Sequence, residues 1–209
     1  MVACSGGGGS ASSVSVPPRA PDAQTATASA GPSAESPSAS AAVSGAPTVP
    51  GEVTAESLSD PDSGYVVVSI PEGLDVTQGE ILVAYVAYDR ATWRAYRAMD
   101  GDHSAVQATS GGQALKSYRD DYEAWNAEGL HMSGVYRMTI QTVVLDDAAP
   151  DTAVMFICVD QHDMDMLKED GTSGGRDIQH CYSHAVTLSR SSGSWIVVAE
   201  ESNGVVDQC

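Results

Sequence analysis

Three side chains able to transfer protons occupy alternate positions late in the chain, His180, Tyr182 and His184. Alternate residues of an extended strand share one face, so the three rings would form a row. At about 3.3 Å per residue the two histidines lie roughly 13 Å apart, too far to bind one metal ion. With a carboxylate such as Asp160, the row could act in proton transfer. The other interpretation is that these are hydrogen-bonded polar groups on a half-buried sheet.

A second set of potential ligands lies between Asp160 and Asp170, where carboxylates are mixed with one histidine and two methionines. Alternate carboxylates are typical of Ca²⁺ loops, and histidine with methionine is typical of copper sites. A helix–loop–helix calcium site needs glycine at its sixth position, which this segment lacks. We therefore expect a solvated loop, and the sequence predicts neither a metal nor another cofactor.

The segment Gly171–Gly175 matches the G-x-S-x-G pattern of hydrolases, with Ser173 at the position of the nucleophile. The hydrolase pattern requires a strand before the serine and a helix after it. Here the motif lies within a polar loop, so no catalytic residue is assigned.

The overall charge narrows the range of partners. Acidic residues outnumber basic ones by 28 to 10, which gives a formal net charge of −18. Such a surface repels nucleic acid and anionic lipid head groups, so we expect no nucleic-acid binding. No apolar run approaches the ~18 residues of a membrane-spanning helix.

Residues 1–62 consist mainly of Ala, Ser, Gly, Pro and Thr, and they hold eight of the ten prolines. This composition has too little apolar surface to offset the entropy of folding, so a disordered tether is predicted over residues 5–62. As a flexible chain it would reach roughly 40–45 Å. One folded domain is predicted over residues 63–209, beginning with a short edge strand at Tyr65–Ile70.

Two amphipathic helices are predicted next. The first begins with a capping box at Thr77 and Glu80 and ends near Met99. Its apolar stripe recurs at spacings of three and four, at Ile81, Tyr85, Tyr88, Thr92 and Ala95. The second helix opens at Ser110 and ends at Gly129, with Tyr118, Tyr122 and Trp125 in its stripe. Aromatic stripes of this kind are usually core and sometimes line a pocket.

The last third of the chain predicts β-strands at residues 135–145, 153–160, 177–189 and 195–200, with a long polar loop at Gln161–Arg176. On the first strand, alternation assigns one face to Tyr136, Met138, Ile140, Thr142 and Val144. Helices followed by an antiparallel meander predict an α+β domain with N-terminal helices packed on a curved antiparallel β-sheet.

This arrangement resembles the nuclear transport factor 2-like fold, a cone of helices wrapped by a bent sheet, as found in secreted bacterial lipoproteins. Residues 91–96, 156–160 and 186–197 carry the resemblance, which spans about residues 76–209. Enzymes and binding modules share this cone, and such cones often pair through their sheets, so a homodimer is one option. The resemblance implies a cone interior, which we expect to be lined by Tyr122, Tyr136, Tyr182, His184 and Asp160.

The start of the chain resembles the processing site of a bacterial lipoprotein. Small residues precede Cys4 and a Ser/Gly run follows it, although the charged and apolar parts of a signal peptide are missing. The resemblance implies that residues 1–4 are a lipobox remnant with a lipidated Cys4. The protein would then be anchored at the extracytoplasmic face of the cell membrane, where two or more acyl chains hold a protein durably.

An extracytoplasmic domain meets an oxidising environment, where disulfides are expected among Cys158, Cys181 and Cys209. The resemblance implies a Cys158–Cys209 bond that joins the C-terminus to a central strand. A Cys158–Cys181 bond between neighbouring strands is the alternative. The Cys158–Cys209 bond closes a loop of about 50 residues and would contribute roughly 3–4 kcal/mol to stability in the chain-entropy model.

The sequence therefore predicts a membrane-anchored, non-catalytic binding module whose cone captures a small ligand or an envelope protein. One alternative is an isomerase- or dehydratase-type enzyme that uses Tyr182 or His184 with Asp160. The other is a structural accessory subunit with a filled cone. An open cavity with converging carboxylate and tyrosine side chains would favour the enzyme, and an open apolar cavity would favour ligand binding.

Overall fold

The computed structural model describes residues 53–209, and it confirms the α+β class with helices packed on a curved antiparallel sheet. Cys4 and residues 5–52 of the predicted tether lie outside the described residues. The prediction that the tether extends to residue 62 is wrong, because Ala55–Leu58 is a helix with Leu58 buried in the core. The helices of this part are α1 Ala55–Leu58, α2 Val76–Ala98, α3 Ser104–Thr109 and α4 Gly112–Ala127. The strands are β1 Tyr65–Ser69, β2 Leu130–Gly134, β3 Tyr136–Asp146, β4 Ala149–Asp160, β5 Met164–Lys168, β6 Cys181–Ser191 and β7 Ser194–Val206.

The main sheet has five strands in the order β1-β3-β4-β6-β7, and β2 and β5 form a separate antiparallel pair. Strands β3, β4, β6 and β7 make the predicted antiparallel meander. Strand β1 lies at one edge, as predicted, but it runs parallel to β3. The core lies between the inner face of this sheet and the apolar faces of α2 and α4.

The N-cap of helix α2 is Asp75, two residues before the predicted N-cap Thr77. The Asp75 carboxylate accepts from the Gln78 backbone N–H at 2.8 Å, and the Gln78 side-chain Oε1 accepts from the Asp75 backbone N–H at 3.0 Å. The predicted Thr77–Glu80 capping box is therefore wrong, because Asp75 and Gln78 form the capping box that begins the helix. The predicted end is confirmed, since Met99 adopts a left-handed conformation that ends the helix.

A β-bulge changes the predicted faces of β3. Ile140 pairs with Ile157 and Thr142 with Phe156, so Gln141 is an extra residue in β3. Beyond the bulge Val143 is buried, while Thr142 and Val144 are exposed. The prediction that Thr142 and Val144 share a face with Tyr136, Met138 and Ile140 is wrong, because one inserted residue exchanges the two faces of a strand.

The segment Gln161–Arg176 is not all loop, because it contains β5. Met164 and Met166 are buried on one face of β5, and the strand pairs with β2 in register from Leu130–Lys168 to Gly134–Met164. Acidic residues around the two methionines gave the segment its polar composition, but the alternation of buried and less buried positions is that of a strand.

The C-terminus is joined to the main sheet by a disulfide between Cys158 of β4 and Cys209. This is the pair that the family resemblance implied, and Cys181 remains a buried thiol. Within residues 53–209, every helix is too short or too polar to cross a membrane.

Candidate functional site

A cavity of about 310 Å³ lies between α2, α4 and the inner face of the main sheet. This volume is at the small end of the range for ligand sites, about 300–1,000 Å³. Aromatic rings form much of its wall: Tyr88, Trp93, Tyr96, Tyr118, Trp125 and Tyr136. Its ionisable lining groups, apart from the tyrosines, are Asp89, Asp121, His184 and Glu200.

The C-terminal half of α2 supplies one wall of the cavity. Its lining residues follow helical spacing, so that they share one face: Tyr88, Asp89, Thr92, Trp93 and Tyr96. The opposite wall comes from β6 and β7 through His184 and Glu200, and α4 contributes Tyr118 and Asp121. Polar groups from two helices and two strands therefore converge on one cavity.

Asp89 is buried, 7% exposed, and both of its oxygens accept hydrogen bonds from tyrosines. The Tyr65 hydroxyl donates to Oδ2 at 2.8 Å and the Tyr136 hydroxyl to Oδ1 at 3.1 Å. Burial raises the pKa of Asp89 to about 6, against the opposing effect of these hydrogen bonds. The Tyr85 hydroxyl is buried nearby and has no hydrogen-bond partner within residues 53–209.

Glu200 is the second carboxylate of the cavity, with its side chain 27% exposed. Its Oε2 accepts a long hydrogen bond of 3.4 Å from the Tyr88 hydroxyl. Burial raises the pKa of Glu200 to about 7, and the like charge of Asp89 adds to the rise.

A second bulge turns Glu200 inward. Thr187 pairs with Ala199 but Leu188 pairs with Val197, so Val198 is an extra residue in β7. The N-terminus of α4 packs at this bulge: the Gly111 N–H donates to the Val197 carbonyl at 2.9 Å. At Gly112, φ is +54° and a Cβ would lie 2.9 Å from the Val198 carbonyl oxygen, so this close approach requires glycine.

His184 completes the polar wall. Its Nδ1 lies 3.6 Å from Glu200 Oε1, beyond hydrogen-bond distance, and this buried nitrogen has no partner among the described residues. Burial lowers the pKa of His184. The pair can therefore exchange a proton through a small shift, or each member can bind a polar group of a ligand.

The predicted lining residues separate into two groups. Tyr136 and His184 lie in the cavity wall. The hydroxyl of Tyr122 instead accepts from the Gly101 N–H at 2.8 Å and helps to pack the turn after α2. Tyr182 lies beyond His184 on β6, and Asp160 hydrogen-bonds His162 at the end of β4. The structure does not place Asp160 beside Tyr182 or His184, as the predicted proton-transfer group required, because Asp160 is paired with His162.

Sequence reasoning missed both central carboxylates. Asp89 follows Tyr85 by four residues, so an acidic residue within the apolar stripe of α2 was a visible signal. Glu200 gave no such signal, because simple alternation along β7 assigns it to the face opposite Trp195 and Val197.

The charge of the cavity is unbalanced. Its three carboxylates face no lysine or arginine among the lining residues, and His184 is the one basic side chain there. Asp89 is buried, Glu200 is partly buried and Asp121 is exposed. A carboxylate that is withdrawn from water without a cationic partner either holds a proton or favours a positively charged ligand.

No family model matches the chain, and no curated protein sequence matches it. Solved structures with some similarity include the intermembrane space region of the chloroplast protein ARC6, at 14% identity and a TM-score of 0.44, covering 62% of this chain and 96% of that one. An NTF2-like protein from Cytophaga hutchinsonii has 9% identity and a TM-score of 0.36, covering 58% of this chain and 95% of that one.

Proposed function

We propose that this protein is a binding module that holds a small organic cation in the cavity between α2, α4 and the main sheet. The observation that carries the proposal is the unbalanced charge of the cavity, where Asp89, Asp121 and Glu200 meet no lysine or arginine. A ligand with a primary or quaternary ammonium group would supply the missing charge.

The aromatic wall supports the same ligand class. A cation within about 6 Å of an aromatic face is attracted by roughly 0.5–2 kcal/mol, depending on its desolvation. Tyr88, Tyr96 and Trp125 line the cavity together with the carboxylates. The net charge of −18 would also raise the local concentration of cations near the protein.

The polar groups of the cavity leave room for a ligand bond. Asp89 already accepts two tyrosine hydroxyls, but Glu200 has one long hydrogen bond of 3.4 Å. Of these two carboxylates, Glu200 therefore has the greater capacity to receive a ligand N–H or an ammonium charge.

In this proposal the domain is held at the extracytoplasmic face of a cell membrane by lipid on Cys4. The support is the small-residue context of Cys4 and the composition of residues 5–62. The full chain, expressed behind a lipoprotein leader with an azide-bearing palmitate analogue, should become labelled. Label that persists in a Cys4→Ser variant would contradict lipidation at this cysteine.

Calorimetric titration of the full chain with choline and its neutral isostere, 3,3-dimethylbutan-1-ol, tests the ligand class. The two probes have the same shape, so a difference in affinity reports the charge. We expect choline to bind at least about tenfold more tightly, equivalent to about 1.4 kcal/mol. Because Glu200 must be ionised to contribute, the choline affinity should rise with pH through about 7. Over this range Asp89, Asp121, His184 and the Tyr88 hydroxyl also face the site.

A Glu200→Gln variant should lose most of this preference for choline, and a Glu201→Gln variant on the exposed neighbouring position should keep it. Equal affinity for both probes would support a ligand-binding cavity but contradict the proposal that its ligand is a cation. Failure of both probes, together with a bare protein mass in native mass spectrometry, would contradict the binding function itself.

The His184–Glu200 pair favours a second candidate function, a proton-transferring enzyme of the isomerase or dehydratase type. A carboxyl group with a pKa of about 7 is well suited to general acid–base chemistry at neutral pH. A ligand recovered by native mass spectrometry would be incubated with the protein in deuterated water. Incorporation of deuterium that requires Glu200 would establish the enzyme and exclude the non-catalytic module. Binding of an envelope protein, homodimer formation and the accessory-subunit role remain predictions.

A further inference from the structure

A group of three metal-ligating side chains lies on the face of the sheet opposite the cavity. Asp160 ends β4, His162 follows in the turn to β5, and Cys181 begins β6 directly across from Asp160 in the antiparallel ladder. Val159 lines the cavity, so the adjacent Asp160 points to the other face of the strand. The cluster is therefore independent of the proposed ligand site.

The three ligand atoms are already close enough to bind one ion. His162 Nδ1 lies 2.7 Å from Asp160 Oδ1 and 3.9 Å from Cys181 Sγ, and all three ligand atoms lie within 4.8 Å of one another. Around a tetrahedral zinc ion with bonds of 2.0–2.3 Å, ligand atoms are about 3.3–3.8 Å apart. Widening the His–Asp contact and drawing the three ligand atoms to within about 3.8 Å of one another would produce that geometry.

The backbone holds the cluster in place. The Gln161 N–H donates to the His180 carbonyl at 3.0 Å and joins the turn to the start of β6. The His162 N–H donates to Asp160 Oδ1 at 2.9 Å. Ligands that are held by the main chain lose little conformational entropy when an ion binds.

The donor set selects a class of metal. One thiolate, one imidazole and one carboxylate suit Zn²⁺ and Co²⁺, whereas Ca²⁺ and Mg²⁺ prefer oxygen ligands alone. The side chain of Cys181 is buried, 4% exposed, while that of His162 is 58% exposed. The thiol would therefore bind the ion from the protein side and leave a fourth position facing solvent.

We propose that Asp160, His162 and Cys181 form a three-residue site for a divalent transition-metal ion of the zinc type, with water or an external ligand as the fourth group.

The surrounding charges are compatible with this site. The backbone N–H and ring Nδ1 of His162 already hydrogen-bond Oδ1 of Asp160 and hold this carboxylate in the cluster. The nearby cation Arg137 is paired with Asp163 at 2.5 Å, which offsets its repulsion of a metal ion.

The proton balance of binding is simple. The thiol of Cys181 gives up its proton to solvent as the sulfur–metal bond forms. The hydrogen between His162 Nδ1 and Asp160 is replaced by the metal, and the neutral ring carries its hydrogen on Nε2 instead. Binding to the neutral imidazole form therefore releases one proton, and no oxidant or reductant is required.

Titration of the full chain with Co²⁺ tests the proposal, because a thiolate ligand produces an ultraviolet charge-transfer band and a tetrahedral site produces visible absorption. We expect one equivalent of Co²⁺ to produce both, and one equivalent of Zn²⁺ to remove both by displacement. The Cys4→Ser variant should give the same bands as the wild type. That result would exclude Cys4 as the thiolate ligand.

The Cys181→Ser variant should lose the charge-transfer band. Asp160→Asn and His162→Ala change exposed or half-exposed side chains, so they should fold, and each should weaken Co²⁺ binding by at least about tenfold. His131→Ala in β2 serves as a histidine control with unchanged affinity. Absence of the band in the wild type, or full affinity in both His162→Ala and Asp160→Asn, would overturn the site.

Discussion

The two halves of α2 face very different surroundings. Ile81, Leu82 and Val86 in its N-terminal half are almost completely buried in apolar core. Its C-terminal half lines a cavity in which Asp89 and Glu200 are held with raised pKa values. One helix therefore packs in the apolar core at one end and lines a polar cavity at the other.

This contrast has a physical cause. Apolar side chains gain free energy from burial wherever they pack closely, so the sealed half can be filled completely. Carboxylates lose solvation free energy when they are buried, and Asp89 offsets part of that loss through two tyrosine hydroxyls. The C-terminal half of α2 (the cavity half) therefore holds polar groups that lower the stability of the fold. Apolar burial in its N-terminal half (the sealed half) must offset that loss of free energy.

The largest expected effect is in the sealed half. Leu82→Ala removes a side chain that is 0% exposed and leaves a void, so it should lower the free energy of unfolding by about 2–5 kcal/mol. Urea unfolding followed by circular dichroism measures the loss. Val144→Ala, at a position 51% exposed, is the control and should change stability by about 0.5 kcal/mol or less. A similar loss of unfolding free energy in both variants would contradict the prediction that Leu82 lies in closely packed core and Val144 on the surface.

A smaller effect, dependent on pH, is expected from Glu200→Gln in the cavity half. The pKa of Glu200 rises from 4.5 to about 7 on folding, so the native state binds this proton more tightly. The wild type therefore loses stability relative to the variant as pH rises from about 4.5 to about 7. One pKa unit corresponds to about 1.4 kcal/mol, so the difference in the free energy of unfolding should reach roughly 3 kcal/mol by pH 8.

Urea unfolding of the wild type and the variant from pH 4 to pH 8 measures this difference. Asp89, His184 and the Tyr88 hydroxyl face Glu200, so the transition should be broad rather than that of one isolated group. Glu201→Gln, one residue further along β7 and exposed, should show no such trend. A flat difference for Glu200→Gln would mean that its carboxyl is solvated in the folded protein.

The smallest effect is expected where the two halves meet. Among the residues that the structure describes, the buried Tyr85 hydroxyl has no hydrogen-bond partner. Tyr85→Phe should therefore change the free energy of unfolding by less than about 1 kcal/mol, in either direction. Tyr65→Phe removes a donor to Asp89 and should cost about 1–3 kcal/mol. Thermal unfolding of the two variants compares them directly, and an equal or larger loss for Tyr85→Phe would show that its hydroxyl also supports Asp89.

Much of the helical structure could be predicted from the sequence. The apolar stripe from Ile81 to Ala95 indicated both the existence of α2 and its buried face, since helical periodicity is a local property. The composition of Gln161–Arg176 concealed β5, because averaged polarity hides two buried methionines that alternate with polar residues. The short helix α3 was also missed, as six residues carry little periodic signal.

The sequence by itself determined the α+β class, the edge strand, the apolar faces of α2 and α4, and an acidic chain with tyrosine-rich helices. Only the tertiary structure decided that Asp89 and Glu200 share one cavity, and that Asp160, His162 and Cys181 form one cluster. The physical reason is that periodicity reports which side of an element is buried, not which elements meet. Bulges at Gln141 and Val198 exchange the faces of their strands, and that choice depends on pairing with distant residues.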